Sequence, residues 1–335
     1  MQLSVIIVNY KSGGYIIDLL KSASNALLAN NNIEWIVVDN HSQNTDKDLI
    51  TASFPFVQWI DMGYNAGFAR ANNAGISVAK SNAVLLLNPD TLLNDGVIET
   101  CLERLMGSSY VAAGVQLINP DKSLQFSGSN FMKGGINHLL PLPYWGKFLK
   151  YAALLTNTQK PSVLKANAEQ KIDWVSGAFL MVKRDAINKA GLMDPDFFLY
   201  GEEVEWCSRL LKFGSICIYG DLHLVHLIGA TIQEATSAND NSYENLYDKK
   251  GMQLMVSNHL RIRKQYGIFW FLFQLLNYTW AVPFALICSI FNNILHLKLP
   301  FKELNSIYHL FKNVLVLWKL TPKIISGKPH FYKCI

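Results

Sequence analysis

Acidic and amide side chains follow several short apolar stretches in the N-terminal part of the chain, where a protein could present them to a ligand. Asp90 comes after one such stretch, and Asp39 ends another. A single acid in this position is commonly a turn former or a helix cap. However, Asn65, Gly67 and Arg70 lie between the two acids. Polar groups repeated in this way predict one binding crevice rather than separate turns.

A parallel sheet would bring these side chains together. Apolar runs of strand length alternate with helix-compatible stretches over the first ninety residues, which is typical of an α/β fold with helices on both faces of a mostly parallel sheet. Ligands of such sheets bind beyond the carboxyl ends of the strands. We expect strands over 3–8, 34–39, 56–60 and 83–88, and helices over 12–29 and 66–80. The polar positions at the strand ends are Asn9-Tyr10, Asp39-Asn40, Gly63-Tyr64-Asn65 and Asn88-Pro89-Asp90.

Several classes of protein are excluded by what the sequence lacks. No G-x-G-x-x-G spacing follows the first strand and no G-x-x-x-x-G-K-[ST] occurs, so neither an NAD or FAD site nor a P-loop is expected. The five cysteines are widely spaced without a C-x-x-C pair, which argues against a disulfide framework or a structural zinc site. No stretch resembling a signal peptide precedes the first strand, so we expect a cytosolic protein.

The charge of the chain is distributed unevenly. The net charge is +5 overall, but residues 261–335 carry +9 and residues 1–260 therefore carry −4. A nucleic-acid-binding face spread over the main domain is not expected from this distribution. The basic tail is instead suited to an anionic surface.

The tail also contains a long apolar stretch. Residues 265–297 are 33 consecutive positions without Lys, Arg, Asp or Glu, and about 20 apolar residues are enough to span a bilayer. A buried core helix is one interpretation. The interpretation that we prefer is membrane contact through a re-entrant or interfacial hairpin, with Trp270, Tyr278 and Trp280 at the interface and the later lysines on anionic lipid.

The middle of the chain is less regular. Residues 119–172 contain four prolines and the pair Gly134-Gly135, which indicate a loop-rich insertion. Beyond it, we expect a strand over 173–182, a helix over 201–214 that ends at Gly214, and short strands within 215–229.

Seven sequence elements follow one another between residue 3 and about residue 230. They are SVIIVNY (4–10), VVDNHS (37–42), NAGFARANN (65–73), LLLNPDT (86–92), WVSGAFLMVKR (174–184), FFLYGEEVEWCSR (197–209) and His226-x-x-Gly229. In this order they resemble the family 2 glycosyltransferases, and in particular the rhamnosyltransferase-like branch that builds bacterial surface polysaccharides. The resemblance implies a GT-A fold, a nucleotide-sugar donor, a divalent cation, and inversion at the anomeric carbon by a single displacement.

The resemblance also implies roles for the polar strand ends. Asp39 would contact the nucleobase, and Asn9 and Tyr10 lie where the base or the ribose packs. The segment that lines the nucleotide corresponds to Asn65, Gly67 and Arg70.

The tripeptide Asn88-Pro89-Asp90 stands at the family's Asp-x-Asp metal motif, with Asn in place of the first acid. Many rhamnosyltransferase-like members share that departure. Asn88 would contact the nucleotide-sugar, and Asp90 remains as the carboxylate ligand of Mg²⁺ or Mn²⁺, whose charge would neutralise the departing diphosphate. The family sometimes uses a His at the position of His226 as a further metal contact, although a His among apolar residues is also commonly a core residue.

Glu203 matches the catalytic acid of the family's Glu-Asp pair, here Glu202-Glu203, and would deprotonate the acceptor hydroxyl. Acids in the first turn of a helix are also commonly solvated caps. Neighbouring helix positions point about 100° apart, so Glu202 has a different task, which we take to be contact with the nucleotide-sugar. Glu205 shares the face of Glu202 and is expected to be structural.

Residues around this pair have less certain uses. Trp206 could stack on a sugar ring or pack in the core. Arg209 could pair with Glu205 or contact phosphate. The strand that resembles the sugar- and acceptor-facing strand of the family carries Trp174, Ser176 and Gly177.

We therefore predict a GT-A domain over 1–260, followed by basic, aromatic, membrane-associating helices over 261–335. The GT-A domain would consist of a nucleotide-binding half (1–118), the insertion (119–172) and an acceptor and catalytic half (173–260).

The predicted activity is the transfer of one sugar, with dTDP-rhamnose favoured, to a polyprenyl-diphosphate-linked saccharide. The reaction would take place at the cytoplasmic face of the inner membrane, in O-antigen or capsule synthesis. A UDP-hexose or galactofuranose donor remains open, because the sugar pocket is built partly from the insertion. A processive synthase is not expected, because no Gln-x-x-Arg-Trp motif occurs. From another class, a non-catalytic nucleotide-sugar-binding scaffold remains possible because Asn replaces the first metal acid.

Overall fold

The computed structural model describes residues 2–42, 44–155, 161–227, 245–296 and 301–335. The chain forms two compact units. The first unit comprises Met1–Asn130, Ser162–Pro195 and Glu202–Asn241. The second unit comprises Phe131–Pro161, Asp196–Gly201 and Ser242–Ile335. Gly229, which belongs to one of the seven recognised elements, lies outside the described residues.

All named strands belong to the first unit. They are β1 (Leu3–Asn9), β2 (Ile33–Asp39), β3 (Val57–Asp61), β4 (Ala83–Leu87), β5 (Thr91–Leu92), β6 (Ala112–Ile118), β7 (Gly128–Ser129), β8 (Ser162–Val163), β9 (Gln170–Ile172), β10 (Trp174–Val175), β11 (Phe179–Lys183) and β12 (Ile216–His226).

The helices divide between the units. Those of the first unit are α1 (Gly13–Ser22), α2 (Asn25–Leu28), α3 (Asn44–Ser53), α4 (Gly67–Val78), α5 (Val97–Gly107), α7 (Arg184–Ala190) and α8 (Glu202–Leu210). Those of the second unit are a 3₁₀ segment (Lys133–Leu139), α6 (Trp145–Leu155), α9 (Lys249–Tyr266), α10 (Ile268–His296) and α11 (Phe301–Ser326).

The main sheet has the order β3-β2-β1-β4-β11-β6-β12-β5, with β9 beside β12. Parallel pairing joins β1 to β2 and β4, β2 to β3, and β6 to β12, whereas β11, β5 and β9 pair antiparallel to their neighbours. Six strands therefore point one way and three the other, in agreement with the predicted mostly parallel sheet. A small antiparallel sheet has the order β10-β7-β8.

Helices cover both faces of this sheet, as predicted. Val5 and Ile7 of β1 belong to a buried cluster that includes residues of α1, α3 and α5. Ile6 points to the opposite face, because side chains alternate along a strand. There it meets α4 at Gly75, where an added Cβ would lie 2.6 Å from Ile6 Cγ2. The absence of a side chain at Gly75 thus allows α4 to approach the sheet closely.

Four predicted elements differ in the structure. The predicted helix over 12–29 forms two helices, α1 and α2, because the main chain is extended at Ala23 and Ser24. The stretch 173–182 forms β10 and β11 rather than one strand, because the main chain leaves the small sheet at Ser176 and joins the main sheet at Phe179. The predicted helix over 201–214 ends at Leu210 and continues as turns. The two short strands expected within 215–229 are one strand, with a register shift between Tyr219 and His223.

Helix α8 is fastened to the end of α7 by two side-chain donors. Trp206 is fully buried and donates from Nε1 to the Gly191 carbonyl (2.8 Å), and Arg209 donates from Nη1 to the Ala190 carbonyl (2.6 Å). Arg209 also pairs through Nε and Nη2 with the buried carboxylate of Glu205. The structure thus assigns Trp206 to packing and Arg209 to the pair with Glu205, which is structural as expected.

The second unit is built around α10. A buried cluster joins residues of α9, α10 and α11 with Leu139 and Leu142. Helix α9 extends across residue 260, at which the sequence predicted a boundary. Among the described residues, α10 is the one helix that is long and apolar enough to cross a membrane, with a mean hydropathy of 1.5 and one third of its apolar window buried.

The C-terminal residues of the second unit hold the segment Asp196–Gly201. The amide N–H groups of His330 and Tyr332 donate to the side chain and the carbonyl of Asp196, each at 2.9 Å. Lys264 Nζ forms an ion pair with the same carboxylate at 2.7 Å. The buried side chain of Gln253 in turn donates to the Tyr332 carbonyl.

Replacement of Arg209 by Met should lower the free energy of unfolding by about 2–3 kcal/mol, because the buried carboxylate of Glu205 would lose its partner. Arg104→Met is the matched control. Arg104 pairs with Asp221 at a similarly short 2.7 Å, but both side chains are exposed, and such pairs contribute less than about 1 kcal/mol. Urea denaturation measures both values. Equal losses in the two variants would contradict the structural role of Arg209.

Candidate functional site

The ends of β1 and β2 are level with each other, which brings their polar side chains into contact. Asn9 and Asp39 are register partners, and Asn9 Nδ2 donates to Asp39 Oδ1 at 2.9 Å. The same amide lies 3.2 Å from Asp46 Oδ2. The Ser42 N–H donates to Asp39 Oδ2 at 3.1 Å. The buried Asp39 carboxylate is therefore held in one orientation, and partly exposed Tyr10 follows Asn9 at the edge of the sheet.

Asn40, which follows the end of β2, is hydrogen-bonded through its side-chain amide to the residues just before α4. Asn40 Nδ2 donates to Asn65 Oδ1 (3.2 Å), and Asn40 Oδ1 accepts from the Ala66 N–H (2.7 Å). Gly67 follows with a positive φ of 77° that favours glycine. Arg70 on the first turns of α4 donates from Nε to the Pro195 carbonyl at 2.8 Å. This arrangement uses Asn40, which the sequence analysis named only as a strand-end residue.

Asn88 and Asp90 lie where β4 meets β11 and β5. The Asn88 N–H donates to the Ala178 carbonyl at 3.0 Å. The carbonyl of Asp90 accepts from the Leu227 N–H at 2.8 Å, and Thr91 is the register partner of His226. The pairing of β5 with β12 therefore brings Asp90 and His226 together, although they are far apart in the sequence.

The imidazole of His226 faces the Asp90 carboxylate and is oriented from behind by Gln125. His226 Nδ1 lies 3.0 Å from Gln125 Oε1. The amide of Gln125 is itself oriented, because its Nε2 donates to the His226 carbonyl (2.6 Å) and to Asn119 Oδ1 (2.7 Å). Since Gln125 Oε1 only accepts, this network assigns the ring proton to Nδ1. Nε2 of the same ring lies 3.5 Å from Asp90 Oδ1.

The pair of Asp90 and His226 fits a divalent cation. Asp90 is only 2% exposed, and its Oδ1 accepts no hydrogen bond from the residues that the structure describes. A buried acceptor without a donor is costly, and here a ring nitrogen of His226 faces it. A cation bound to both atoms would satisfy both. The part of the chain that the structure describes contains no cluster of three His, Cys, Asp or Glu that could hold a metal ion.

The break between β10 and β11 lies beside the first turn of α8. The Ser176 N–H donates to the Ser127 carbonyl at 2.9 Å. At Gly177, an added Cβ would lie 3.8 Å from Glu203 Cβ and 3.4 Å from Phe68 Cε1. The predicted residues Gly177 and Glu203 are therefore neighbours, and the Ala178 carbonyl links them to the end of β4.

The three acids of α8 have different surroundings. Glu202 and Glu205 are buried, whereas Glu203 is partly exposed. Nearby Cys207 is not a nucleophile, since burial, with a further contribution from the carboxylates of Glu203 and Glu205, raises the pKa of its thiol to about 12. Glu203 is therefore the one acid of α8 that is partly exposed and could exchange a proton with a bound molecule.

Sequence reasoning missed two contributors to this arrangement. Gln125, which orients His226, lies in the stretch interpreted as a loop-rich insertion and carries no motif. Asp46, which accepts from Asn9, lies on α3, outside the strand-end positions. Trp174 lies in β10, and its ring packs against Phe126 with centroids 5.4 Å apart.

Known proteins similar to this chain are glycosyltransferases. N-acetylglucosaminyl-diphospho-decaprenol L-rhamnosyltransferase of Mycobacterium tuberculosis is 26% identical over 232 residues, which are 65% of this chain and 73% of that protein. The dTDP-rhamnosyl transferase RfbF of Shigella flexneri is 26% identical over 206 residues, or 60% of this chain and 62% of that protein.

A solved structure shows the same fold. The mannosyltransferase PcManGT of Pyrobaculum calidifontis, in complex with GDP-Man and Mn²⁺, superposes with a TM-score of 0.53 at 12% identity. The superposition covers 95% of this chain and 87% of that one. The expected GT-A fold is confirmed by this likeness and by the sheet order.

The family itself is shown by a family model, Glycosyl transferase family 2, which matches residues 4–188. The matched region contains β1 to β4 with their polar ends, the Asn88-Pro89-Asp90 tripeptide and Gly177. Because the match covers more than half of the chain, this protein belongs to glycosyl transferase family 2 and is a glycosyltransferase.

Proposed function

We propose that this glycosyltransferase moves one sugar, L-rhamnose from dTDP-rhamnose, onto a polyprenyl-diphosphate-linked saccharide with inversion at the anomeric carbon. The observation that carries the proposal is the buried pair of Asp90 and His226. These two side chains could bind a divalent cation, which in turn could bind a diphosphate. Such a reaction belongs to the synthesis of a surface polysaccharide such as O-antigen or capsule.

The nucleoside would bind at the ends of β1 and β2. The carboxylate of Asp39 accepts two hydrogen bonds that fix its orientation, so it is prepared to accept a further bond from a nucleobase N–H. Tyr10 offers a partly exposed ring beside it for stacking on the base or ribose. Asn65, Gly67 and Arg70 would line the other side of the nucleotide, with Asn88 and Glu202 nearer the sugar.

Asp90 and His226 would hold Mg²⁺ or Mn²⁺ together with oxygens of the diphosphate. The cation supplies charge neutralisation for the departing nucleoside diphosphate. Gln125 keeps the His226 lone pair directed at the site, and such partners of a ligating His commonly contribute 10- to 100-fold to metal affinity.

Glu203 would act as the general base. Its carboxylate takes the proton of the acceptor hydroxyl while the hydroxyl oxygen bonds to the anomeric carbon. The bond from that carbon to the diphosphate oxygen breaks, and the nucleoside diphosphate leaves with the electron pair. Gly177, which has no side chain, leaves space for the acceptor beside Glu203, and Ser176 could donate to the sugar.

The choice of donor and acceptor rests on the two relatives named above. One is named for a decaprenol-diphosphate-linked acceptor and L-rhamnose, and the other for dTDP-rhamnose. The basic residues 261–335 would hold the enzyme on the cytoplasmic face of the membrane where a lipid-linked acceptor lies. A UDP-hexose or galactofuranose donor is the alternative that the donor experiment below would detect. The non-catalytic scaffold considered from the sequence is set aside, because the chain belongs to a family of enzymes.

Release of nucleoside diphosphate from a panel of dTDP-, UDP- and GDP-sugars tests the donor. With a polyprenyl-diphosphate-linked GlcNAc acceptor in detergent, we expect turnover with dTDP-rhamnose at least about 100-fold above the other donors, because a site built for particular hydroxyls rejects others strongly. Preferred turnover of a UDP-sugar would replace rhamnose by that sugar and leave the mechanism unchanged.

Glu203→Gln should retain donor binding and lose turnover by about 10²- to 10⁴-fold, because the amide cannot accept the acceptor's proton. Glu103→Gln, on the exposed side of α5, is the matched control and should keep wild-type turnover. Calorimetry with dTDP-rhamnose and steady-state kinetics separate binding from catalysis. Turnover within twofold of wild type would remove Glu203 from the role of base.

Removal of metal by EDTA should abolish turnover, and Asp90→Asn should abolish the dTDP-dependent binding of Mn²⁺ seen by electron paramagnetic resonance. Gln125→Leu should weaken Mn²⁺ binding by about 10- to 100-fold, because the imidazole loses its orienting acceptor. Gln58→Leu, at an exposed position of β3, controls for the substitution itself. Full activity in EDTA would show that His226 and Asp90 act without a metal.

A further inference from the structure

Helix α10 buries several polar side chains, while many of its large apolar side chains are exposed. Gln274 is fully buried and donates to the carbonyls of Gly134 and Gly135 at 2.9 and 2.8 Å. Tyr278 donates to the His138 carbonyl at 2.9 Å, and Ser289 donates to Glu303 at 2.6 Å. A surface helix in water has the reverse arrangement. The outer side of α10 is therefore suited to an apolar surrounding.

The apolar side chains continue from α10 onto its two neighbours. Trp145 of α6 donates to Asn277 (3.0 Å), and Trp318 of α11 donates to Thr279 (2.9 Å). We call the combined surface the outer face. Its side chains are between 41% and 85% exposed, and they are Phe148, Tyr151, Leu154 and Leu155 of α6, Phe269, Phe273, Leu276, Trp280, Ile287, Ile290, Phe291, Ile294 and Leu295 of α10, and Tyr308, Phe311, Leu315 and Trp318 of α11.

The helices that carry the outer face also carry exposed lysines. Lys147 and Lys150 of α6 and Lys312 and Lys319 of α11 are exposed, and Lys312 Nζ lies 4.4 Å from the centre of the Tyr308 ring. Neither α6 nor α10 contains an acid. Apolar groups with lysines and aromatic rings on the same helices are the composition that binds an anionic lipid surface.

The pairing of α10 with α11 opposes a transmembrane orientation. Ser289 contacts Glu303, and Thr279 contacts Trp318, so the two helices run antiparallel and Lys312 lies beside the middle of α10. If α10 crossed the bilayer, the exposed Lys312 would lie in the hydrocarbon, where a charge is expensive. If α10 lies in the plane of the membrane, the lysines can reach the headgroups.

We propose that the outer face is immersed in one leaflet of an anionic phospholipid bilayer, with α10 lying in the plane of the membrane rather than across it. This inference deepens the proposed function, on whose membrane location it rests, and it adds α6 to the lipid contact. A second copy of the chain fits the outer face less well than a lipid surface does. An interface with two-fold symmetry joins identical surfaces, so the lysines of both copies would be brought together and would repel each other.

Vesicle co-sedimentation of the full chain tests the proposal. A variant with Phe269→Glu, Leu276→Glu, Phe291→Glu and Ile294→Glu should bind phosphatidylcholine/phosphatidylglycerol vesicles roughly 100-fold more weakly than wild type, since several apolar anchors become charged. The matched control is Leu49→Glu, Leu164→Glu and Phe213→Glu, three exposed apolar positions of the first unit, and it should bind within twofold of wild type. Unweakened binding of the first variant would overturn the proposal.

The charge contribution is measured with the lysines of the outer face. Changing Lys147, Lys150, Lys312 and Lys319 to Gln should weaken binding to phosphatidylglycerol-containing vesicles by roughly tenfold or more and should leave binding to pure phosphatidylcholine unchanged. An equal loss on both kinds of vesicle would contradict the recognition of anionic lipid.

The orientation of α10 is tested with an environment-sensitive nitrobenzoxadiazole label. Phe269→Cys and Ile294→Cys are labelled one at a time in a chain in which Cys288 and Cys334 are Ser, and the protein is added to the outside of vesicles. Dithionite, which does not cross the bilayer, should quench both labels. Protection of one label would show a spanning helix and overturn the in-plane orientation.

The remaining outcomes separate this inference from the proposed reaction. If the four-glutamate variant has normal turnover in detergent but no longer binds vesicles, the result supports the proposal that the outer face contacts the membrane. Absent turnover of the wild type with intact vesicle binding would count against the proposed reaction alone. Sedimentation velocity could instead show that the wild type is a dimer and the four-glutamate variant a monomer. If neither protein binds vesicles, that result would assign the outer face to a second copy and overturn the proposal.

Discussion

The candidate site at the ends of β1 and β2 depends on one constraint, which is that these parallel strands end level with each other. Parallel pairing in register makes Asn9 and Asp39 partners and carries Asp61 to the same edge. A slip of one residue would turn every side chain to the opposite face of the sheet. The apolar residues of β1 and β2, packed on both faces by helices, prevent that slip. The hydrophobic core thus determines where a carboxylate meets an amide at the edge.

The part of the candidate site around Asp90 depends on a different kind of interaction, a buried chain of polar groups drawn from three separate parts of the sequence. Gln125, His226 and Asp90 contact one another in series. Each member is buried, so each must be matched or it costs stability. Within the described residues, Asp90 Oδ1 at the end of this network accepts no hydrogen bond, which is unusual for a buried acceptor. The cation that we propose would match that oxygen.

Local patterns were sufficient for the first half of the fold. The apolar runs of β1, β2 and β4 are unbroken, so the sequence could place Asp39 at the end of β2 and Asp90 shortly after β4, where the structure has them. The break at Ser176–Ala178 could not, because it results from competition between two sheets for one chain. Gln125 could not either, since its role depends on His226, 101 residues away. The exposure of α6 likewise depends on which helices lie beside it.

The hydrogen bonds from the C-terminal residues to Asp196 have a consequence for folding during synthesis of the protein. This segment leads directly into α8, yet the backbone groups that bind Asp196 lie 134 residues later in the chain. At about 5–20 residues per second, a ribosome needs roughly 7–27 s to synthesise that interval. Throughout that time, Asp196 lacks the backbone donors of His330 and Tyr332. The nascent enzyme therefore cannot complete this part of its structure while its earlier strands and helices are already free to fold.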